Sequence, residues 1–263
     1  MATVPSLPLF YTDLVPISTQ QHADWKIKAQ DKAPFLANVH AVPVTIDEFV
    51  LSSRFFPIIF SSGEQSVPLA LMGLNEGVNV FVDAEGTLVK PVYVPAYVRR
   101  YPFLLAKLRP DNDELSLCVD PAAPGVGPDI TDGAALFDGD QPSQTTKDIL
   151  AFCEQFEQAG ARTAAFMEEI TKLDIMMDGE VSIQAEGQEQ PYIYRGFRMI
   201  DEEKLRDLRG DTLRKISQNG ILPLLYAHLF SLQLMREVFS EQAAKGQVPQ
   251  INAALNEVAL PGA

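Results

Sequence analysis

Two adjacent arginines between two tyrosines form the stretch of this chain whose chemistry best suits a small anion. Tyr97, Arg99, Arg100 and Tyr101 follow one another closely in a chain of formal net charge −14. A guanidinium group binds a carboxylate or phosphate through paired hydrogen bonds, and it also stacks on aromatic rings. The stretch therefore predicts either an anion-binding site with aromatic walls or a structural ion pair that ties a short helix to a sheet.

His228, Phe55 and Phe56 are further binding candidates by residue type. Histidine changes its charge near neutral pH, and Ser231 lies one helical turn beyond His228. In an apolar helix, however, a lone histidine is also typical of a hydrogen-bonded core group. The two phenylalanines would either line a ligand pocket or pack in the core.

The common local motifs of catalysis and metal binding do not occur in the sequence. His22, His40 and His228 are far apart and form no H-E-x-x-H or H-x-D arrangement. A G-x-S-x-G elbow and a phosphate-binding loop are also missing. We therefore expect no catalytic residue, no metal and no cofactor. The alternative is an enzyme with a dispersed active site near Arg99 and Tyr101 or near His228.

Charge and cysteine usage limit the partners and the compartment. A net charge of −14 repels phosphate backbones, so we expect no nucleic-acid partner. No apolar run approaches the roughly 20 residues of a spanning helix, and the N-terminal stretch lacks the basic residues of a secretory signal. Cys118 and Cys153 lie in apolar patterns, which indicates buried, unpaired thiols. We expect a cytoplasmic protein, although a non-classical export route would leave no trace of this kind.

The elements around the candidate residues follow from local signals. Thr45 and Glu48 fit a capping box, which predicts a short helix from about Ile46 to Ser53. Pro57 cannot lie inside a helix, so residues 55–61 are predicted to form a core strand, as are "VPLALMGL" and "VNVFVD" further along. A second short helix would begin at Pro95 and end before the dipeptide 101–102, ahead of a hairpin over residues 103–120.

The second half reads as mostly helical. Residues 121–144 are rich in Pro, Gly and Asp and predict a long loop, followed by a helix that Thr145 or Thr146 would cap and that runs to about Lys172. Two strands joined by a polar turn come next, and Asp201 caps a further helix. A short helix is expected to end at Gly220 and a long core helix to span residues 222–243, with two apolar faces that both need cover.

These elements predict an α+β fold. Residues 1–140 would form a mostly antiparallel sheet with short helices. Residues 141–245 would supply long helices and a hairpin packed on it, and residues 246–263 a loosely attached tail.

The stretches "SSRFFPIIF", "VPAYVRRYPF", "ALFDGDQ", "GFRMIDEEKL" and "LPLLYAHLFSLQ" resemble, as a set, the bacterial SapC family over about residues 8–240. The resemblance is to the soluble family and not to the membrane permease of the same name. It implies a non-catalytic accessory or binding protein that engages a protein or peptide partner in surface-layer, export, uptake or modification systems. A structural protein associated with the surface layer is a further alternative, and the resemblance implies no particular oligomeric state.

Overall fold

The computed structural model describes residues 7–63, 65–108, 114–184 and 191–247, and these residues have the predicted α+β fold. They form two compact units. The first contains residues 7–31 and 97–158, and the second contains residues 32–96 and 159–247. The division expected from the sequence, into residues 1–140, 141–245 and a tail, stays a prediction. Most of that tail, from residue 248 onward, lies outside the described residues.

Short strands make up the sheets of both units. In chain order they are β1 (Val15–Pro16), β2 (Lys26–Ile27), β3 (Ala41–Pro43), β4 (Ile58–Ser61), β5 (Pro68–Leu71), β6 (Phe103–Lys107), β7 (Leu115–Val119), β8 (Val126–Gly127), β9 (Ala134–Ala135), β10 (Phe137–Asp138), β11 (Gln141–Pro142), β12 (Met176–Asp178), β13 (Val181–Ile183), β14 (Tyr192–Tyr194) and β15 (Phe197–Ile200).

Helices of very different length separate the strands. They are α1 (Thr19–His22), α2 (Phe49–Ser52), α3 (Ala96–Arg100), α4 (Gln144–Lys172), α5 (Glu202–Arg206), α6 (Gly210–Gln218), α7 (Ile221–Ser231) and α8 (Met235–Ala244), with 3₁₀ turns at Pro34–Leu36, Ile46–Glu48 and Leu232–Leu234. No helix among the described residues is long and apolar enough to cross a membrane.

The first unit is built around the predicted hairpin of β6 and β7, to which β1 adds a third antiparallel strand. The turn of the hairpin, residues 109–113, lies outside the described residues. The stretch predicted as a loop, residues 121–144, contains β8 to β11, and both β8 and β9 pair with β2. A core of Phe103, Val119, Leu136 and Cys153 fills this unit.

The second unit contains an antiparallel five-stranded sheet in the order β12-β15-β4-β5-β3. All four residues of β4 are buried, so the apolar stretch after Arg54 is a core strand, as predicted. The strand begins directly after Pro57, whose carbonyl still accepts a hydrogen bond from the Leu71 amide. The capping box of Thr45 and Glu48 is also present, ahead of α2.

The strand predicted for "VNVFVD" does not form, and only Val82 makes an isolated bridge, with Leu88. The side chain of Asn79 explains the difference. Its amide nitrogen donates to the carbonyls of Leu36 and Val39, and its oxygen accepts from the Phe81 amide at 2.8 Å. These bonds take the place of a strand ladder, while the alternating valines still point into the core.

The long C-terminal helix expected over residues 222–243 is divided into α7 and α8 by the 3₁₀ turn. One face is covered as predicted, because Leu225 is fully buried. The prediction that the second face is also covered is wrong, since Tyr226 is 39% exposed and Phe230 is 66% exposed. The helix α7 contacts β4 and β15 of the sheet as well as α2 and α6. Tyr226 and Phe230 lie on a side of α7 that these contacts leave exposed.

Candidate functional site

A pocket of about 430 Å³ in the first unit contains the predicted arginines. Arg99 and Arg100 of α3 line it together with side chains from β2, from the start of β6 and from the first three turns of α4. The full lining is Ile27, Arg99, Arg100, Tyr101, Phe103, Thr145, Asp148, Ile149, Phe152 and Cys153.

Local sequence signals place this pocket. The helix α3 follows Pro95 and ends at the cis peptide Tyr101–Pro102, so both arginines lie in its last turn. The helix α4 begins at Gln144, before either of the predicted caps. Its cap is Ser143, whose hydroxyl accepts from the Thr146 amide, and not Thr145 or Thr146.

The two arginines have different surroundings. The guanidinium carbon of Arg100 lies 4.5 Å from the ring centroid of Tyr97 and 4.3 Å from that of Phe156. Its side chain is only 9% exposed and forms an ion pair with Glu157 at 3.4 Å. Burial raises the pKa of Glu157, and the guanidinium of Arg100 opposes that rise. The guanidinium of Arg100 is therefore largely buried between two rings and one carboxylate, while its Nε is buried without a hydrogen-bond partner among the described residues.

Arg99 is exposed, and its guanidinium carbon lies 5.2 Å from the ring centroid of Phe152. Phe152 and Phe156 are one helical turn apart on α4, so each arginine stacks on its own ring. Of the two arginines that line the pocket, Arg99 is the more exposed.

The neutral groups beside Arg99 stay protonated near neutral pH. Burial raises the pKa of Tyr101 to about 12, with a further contribution from the carboxylate of Asp120. Burial also raises the pKa of Cys153 to about 11, so the pocket carries a thiol and not the thiolate that a nucleophile requires. Tyr97 is buried, and its hydroxyl donates to the carbonyl of Leu9. The pocket thus offers charged groups, hydrogen-bond donors and apolar side chains.

His228 belongs to the second unit. Its Nδ1 donates to the carbonyl of Ile58 at 2.8 Å, and its Nε2 accepts from the amide of Ile200 at 3.1 Å. Burial lowers the pKa of His228 to about 4, while the bond to Ile58 opposes that shift, so the ring is neutral at physiological pH. The Ser231 hydroxyl accepts from the Ile58 amide and donates to the His228 carbonyl. His228 thus connects α7 to β4 and β15.

Phe55 and Phe56 also lie in the second unit. Phe56 is fully buried and packs edge-on against Phe81, with 4.7 Å between the ring centroids. Phe55 is half-buried, and the guanidinium of Arg54 lies 5.8 Å from its ring centroid. The structure therefore groups Arg99, Arg100 and Tyr101 in one pocket and does not bring these phenylalanines or His228 into it.

The residues of α4 that complete the pocket were missed as site residues. Ile149, Phe152 and Cys153 belong to the apolar stripe that predicts this helix, and such a stripe does not show whether a core or a pocket lies against it. Thr145 and Asp148 carried no signal beyond their position near the start of the helix. Among the described residues, no group of three or more His, Cys, Asp and Glu side chains is arranged to hold a metal ion.

The SapC family model matches residues 17–238, and the chain belongs to this family. The match confirms the resemblance seen in the sequence. No curated protein and no solved structure matches the chain.

Proposed function

We propose that the chain is a non-catalytic binding protein whose pocket beside Arg99 holds the carboxylate of a peptide or of a similar small molecule. The observation that carries the proposal is the difference in surroundings between the two arginines of α3. Arg100 is fixed between two rings and an acid, whereas the exposed Arg99 lies at a pocket that has an aromatic wall.

The surroundings of Arg99 favour a carboxylate ligand. A guanidinium group offers two parallel donors to a carboxylate, and Phe152 limits the orientations that the guanidinium adopts. The Tyr101 hydroxyl, protonated at neutral pH, supplies a further polar group in the same pocket.

The rest of the proposal follows the family. An accessory role in a surface-layer, export, uptake or modification system fits a protein that recognises a peptide without transforming it. A cytoplasmic location fits Cys118 and Cys153, which are both buried and free, because free thiols persist in a reducing compartment.

The test is calorimetric titration of short peptides with a free carboxylate into wild type, Arg99→Lys and Arg99→Gln. Charge-assisted hydrogen bonds contribute about 1.5–3 kcal/mol, so Arg99→Gln should weaken binding roughly 10- to 100-fold. Arg99→Lys should recover only part of the loss, because an ammonium does not reproduce the paired donors. Arg206→Gln, an exposed change on α5, is the matched control and should bind as wild type does. Equal affinities in all four proteins would refute the site.

A structural role is the second candidate, and one surface favours it. Val50, Leu51, Tyr226 and Phe230 form what we call the α2–α7 face, on which each side chain is between 39% and 66% exposed. The two helices contact each other and contain no charged residue apart from the buried, neutral His228. A net charge of −14 makes copies of the chain repel one another, and this repulsion is weakest where two uncharged faces meet.

If copies associate through the α2–α7 face, sedimentation velocity should show a concentration-dependent dimer. Phe230→Ser should raise its dissociation constant at least tenfold, as loss of a central aromatic contact does. Val89→Ser removes an apolar group of similar exposure outside this face and should leave association unchanged. A wild-type chain that sediments as a monomer at every concentration would exclude this role.

A further inference from the structure

The pocket beside Arg99 also contains a carboxylate. Asp148 lines it from α4, one helical turn before Phe152. The Asp148 carboxylate accepts a hydrogen bond from the Gln144 side-chain amide at 2.7 Å. It makes no ion pair with any residue in the part of the chain that the structure describes. The pocket therefore presents a cation and an anion to the same ligand.

The same pocket also has apolar lining residues. Phe103 and Cys153 are buried members of the core of the first unit, and Ile27 and Ile149 pack against that core. All four side chains line the pocket. We call these four side chains the apolar floor of the pocket. A ligand that contacts both Arg99 and Asp148 could place an apolar group on this floor, and burial of that group away from water would favour binding.

A purely anionic ligand suits this arrangement poorly. Its carboxylate would gain the contact with Arg99 but would share a small pocket with the negative charge of Asp148. The chain as a whole adds to this repulsion, since its net charge is −14. A ligand that carries an ammonium group as well as a carboxylate is neutral overall and places each charge beside its opposite.

We propose that the pocket takes a small zwitterionic ligand with an apolar body, of the class of an apolar dipeptide or amino acid. The carboxylate binds Arg99, the ammonium group binds Asp148, and the side chains lie on the apolar floor. This assignment rests on the proposed function, because Arg99 supplies the carboxylate contact in both. The volume of about 430 Å³ is near the lower end of the roughly 300–1,000 Å³ of ligand pockets, which suits one or two residues and not a long peptide.

The experiment compares leucyl-leucine with its N-acetyl form and its C-terminal amide, by calorimetric titration of the full chain. Leucyl-leucine should bind most tightly. Removal of either charge should weaken binding by about tenfold, the effect of losing one charge-assisted hydrogen bond. Free leucine, titrated in parallel, distinguishes the two sources of this chemistry. Tighter binding of leucine would assign an amino acid, and tighter binding of leucyl-leucine would assign a dipeptide.

Variants separate this inference from the proposal on which it rests. Asp148→Asn should weaken leucyl-leucine about tenfold and leave N-acetyl-leucyl-leucine unchanged or tighter, whereas Arg99→Gln should weaken both. Glu154→Gln, an exposed change on α4 outside the pocket, is the matched control and should alter neither. Equal binding of the acetylated and free peptides, with no effect of Asp148→Asn, would overturn the zwitterion assignment and leave the carboxylate site intact. Absence of binding by every probe, or insensitivity to Arg99→Gln, would overturn both.

Discussion

His228→Leu should lower the free energy of unfolding by about 3–5 kcal/mol, although the substitution adds no charge and nearly preserves volume. The imidazole satisfies the buried carbonyl of Ile58 and the buried amide of Ile200 at the same time. Each buried polar group left without a partner costs about 1–3 kcal/mol. Urea denaturation followed by circular dichroism measures the loss, and a change below about 1 kcal/mol would show that the two backbone groups find other partners.

The same histidine should make stability depend on pH. The pKa of His228 is about 4 in the folded chain, against about 6.5 for an unperturbed histidine, so the unfolded chain binds the proton more tightly. The contribution of neutral His228 to the free energy of unfolding is therefore fully present above pH 6.5. It is lost as the pH falls toward 4, by about 3 kcal/mol in all. His228→Leu should flatten the stability curve in this window. His40, whose pKa burial also lowers, remains in both proteins and cancels in the comparison.

Elements set by local chemistry were predictable from the sequence. The capping box of Thr45 and Glu48 and the helix-breaking effect of Pro57 both act within a few residues, and they place α2 and β4 correctly. The stretch around Asn79 failed for the opposite reason. Its alternating valines fit a strand. The backbone carbonyls that accept hydrogen bonds from the Asn79 side chain, however, lie about 40 residues earlier in the chain, where no local pattern indicates them.

The candidate site was predictable only in part, because sequence alone does not show which of two adjacent, identical residues in a short helix is buried and which is exposed. Arg99 and Arg100 have the same chemistry, and the sequence favoured neither as the ligand-binding group. Packing of α4 separates them, since Phe156 and Glu157 enclose one arginine while Phe152 lies under the other. Asp148, on which the proposed ligand class depends, lines the pocket only because α4 packs beside the two arginines of α3.

Arg100→Met should lower the free energy of unfolding by about 2–4 kcal/mol, and Arg99→Met by no more than about 1 kcal/mol, the value of an exposed cation–π contact. A desolvated guanidinium between two rings contributes roughly 2 kcal/mol, and its removal also leaves Glu157 without its cation. Because the Glu157 side chain is 41% exposed, water recovers part of that second cost, which keeps the total below the value for a fully buried pair.

The two arginine variants should also differ in binding, in the opposite order. Arg99→Met should lose affinity for carboxylate peptides while unfolding at nearly the same urea concentration as wild type. Arg100→Met should retain affinity in proportion to its folded fraction, since its guanidinium faces rings and an acid of its own unit. Equal losses of stability in both variants would contradict the assignment of Arg100 as structural. Loss of affinity in a fully folded Arg100→Met protein would mean that both guanidinium groups contact the ligand, because a structural cation acts on binding only through folding.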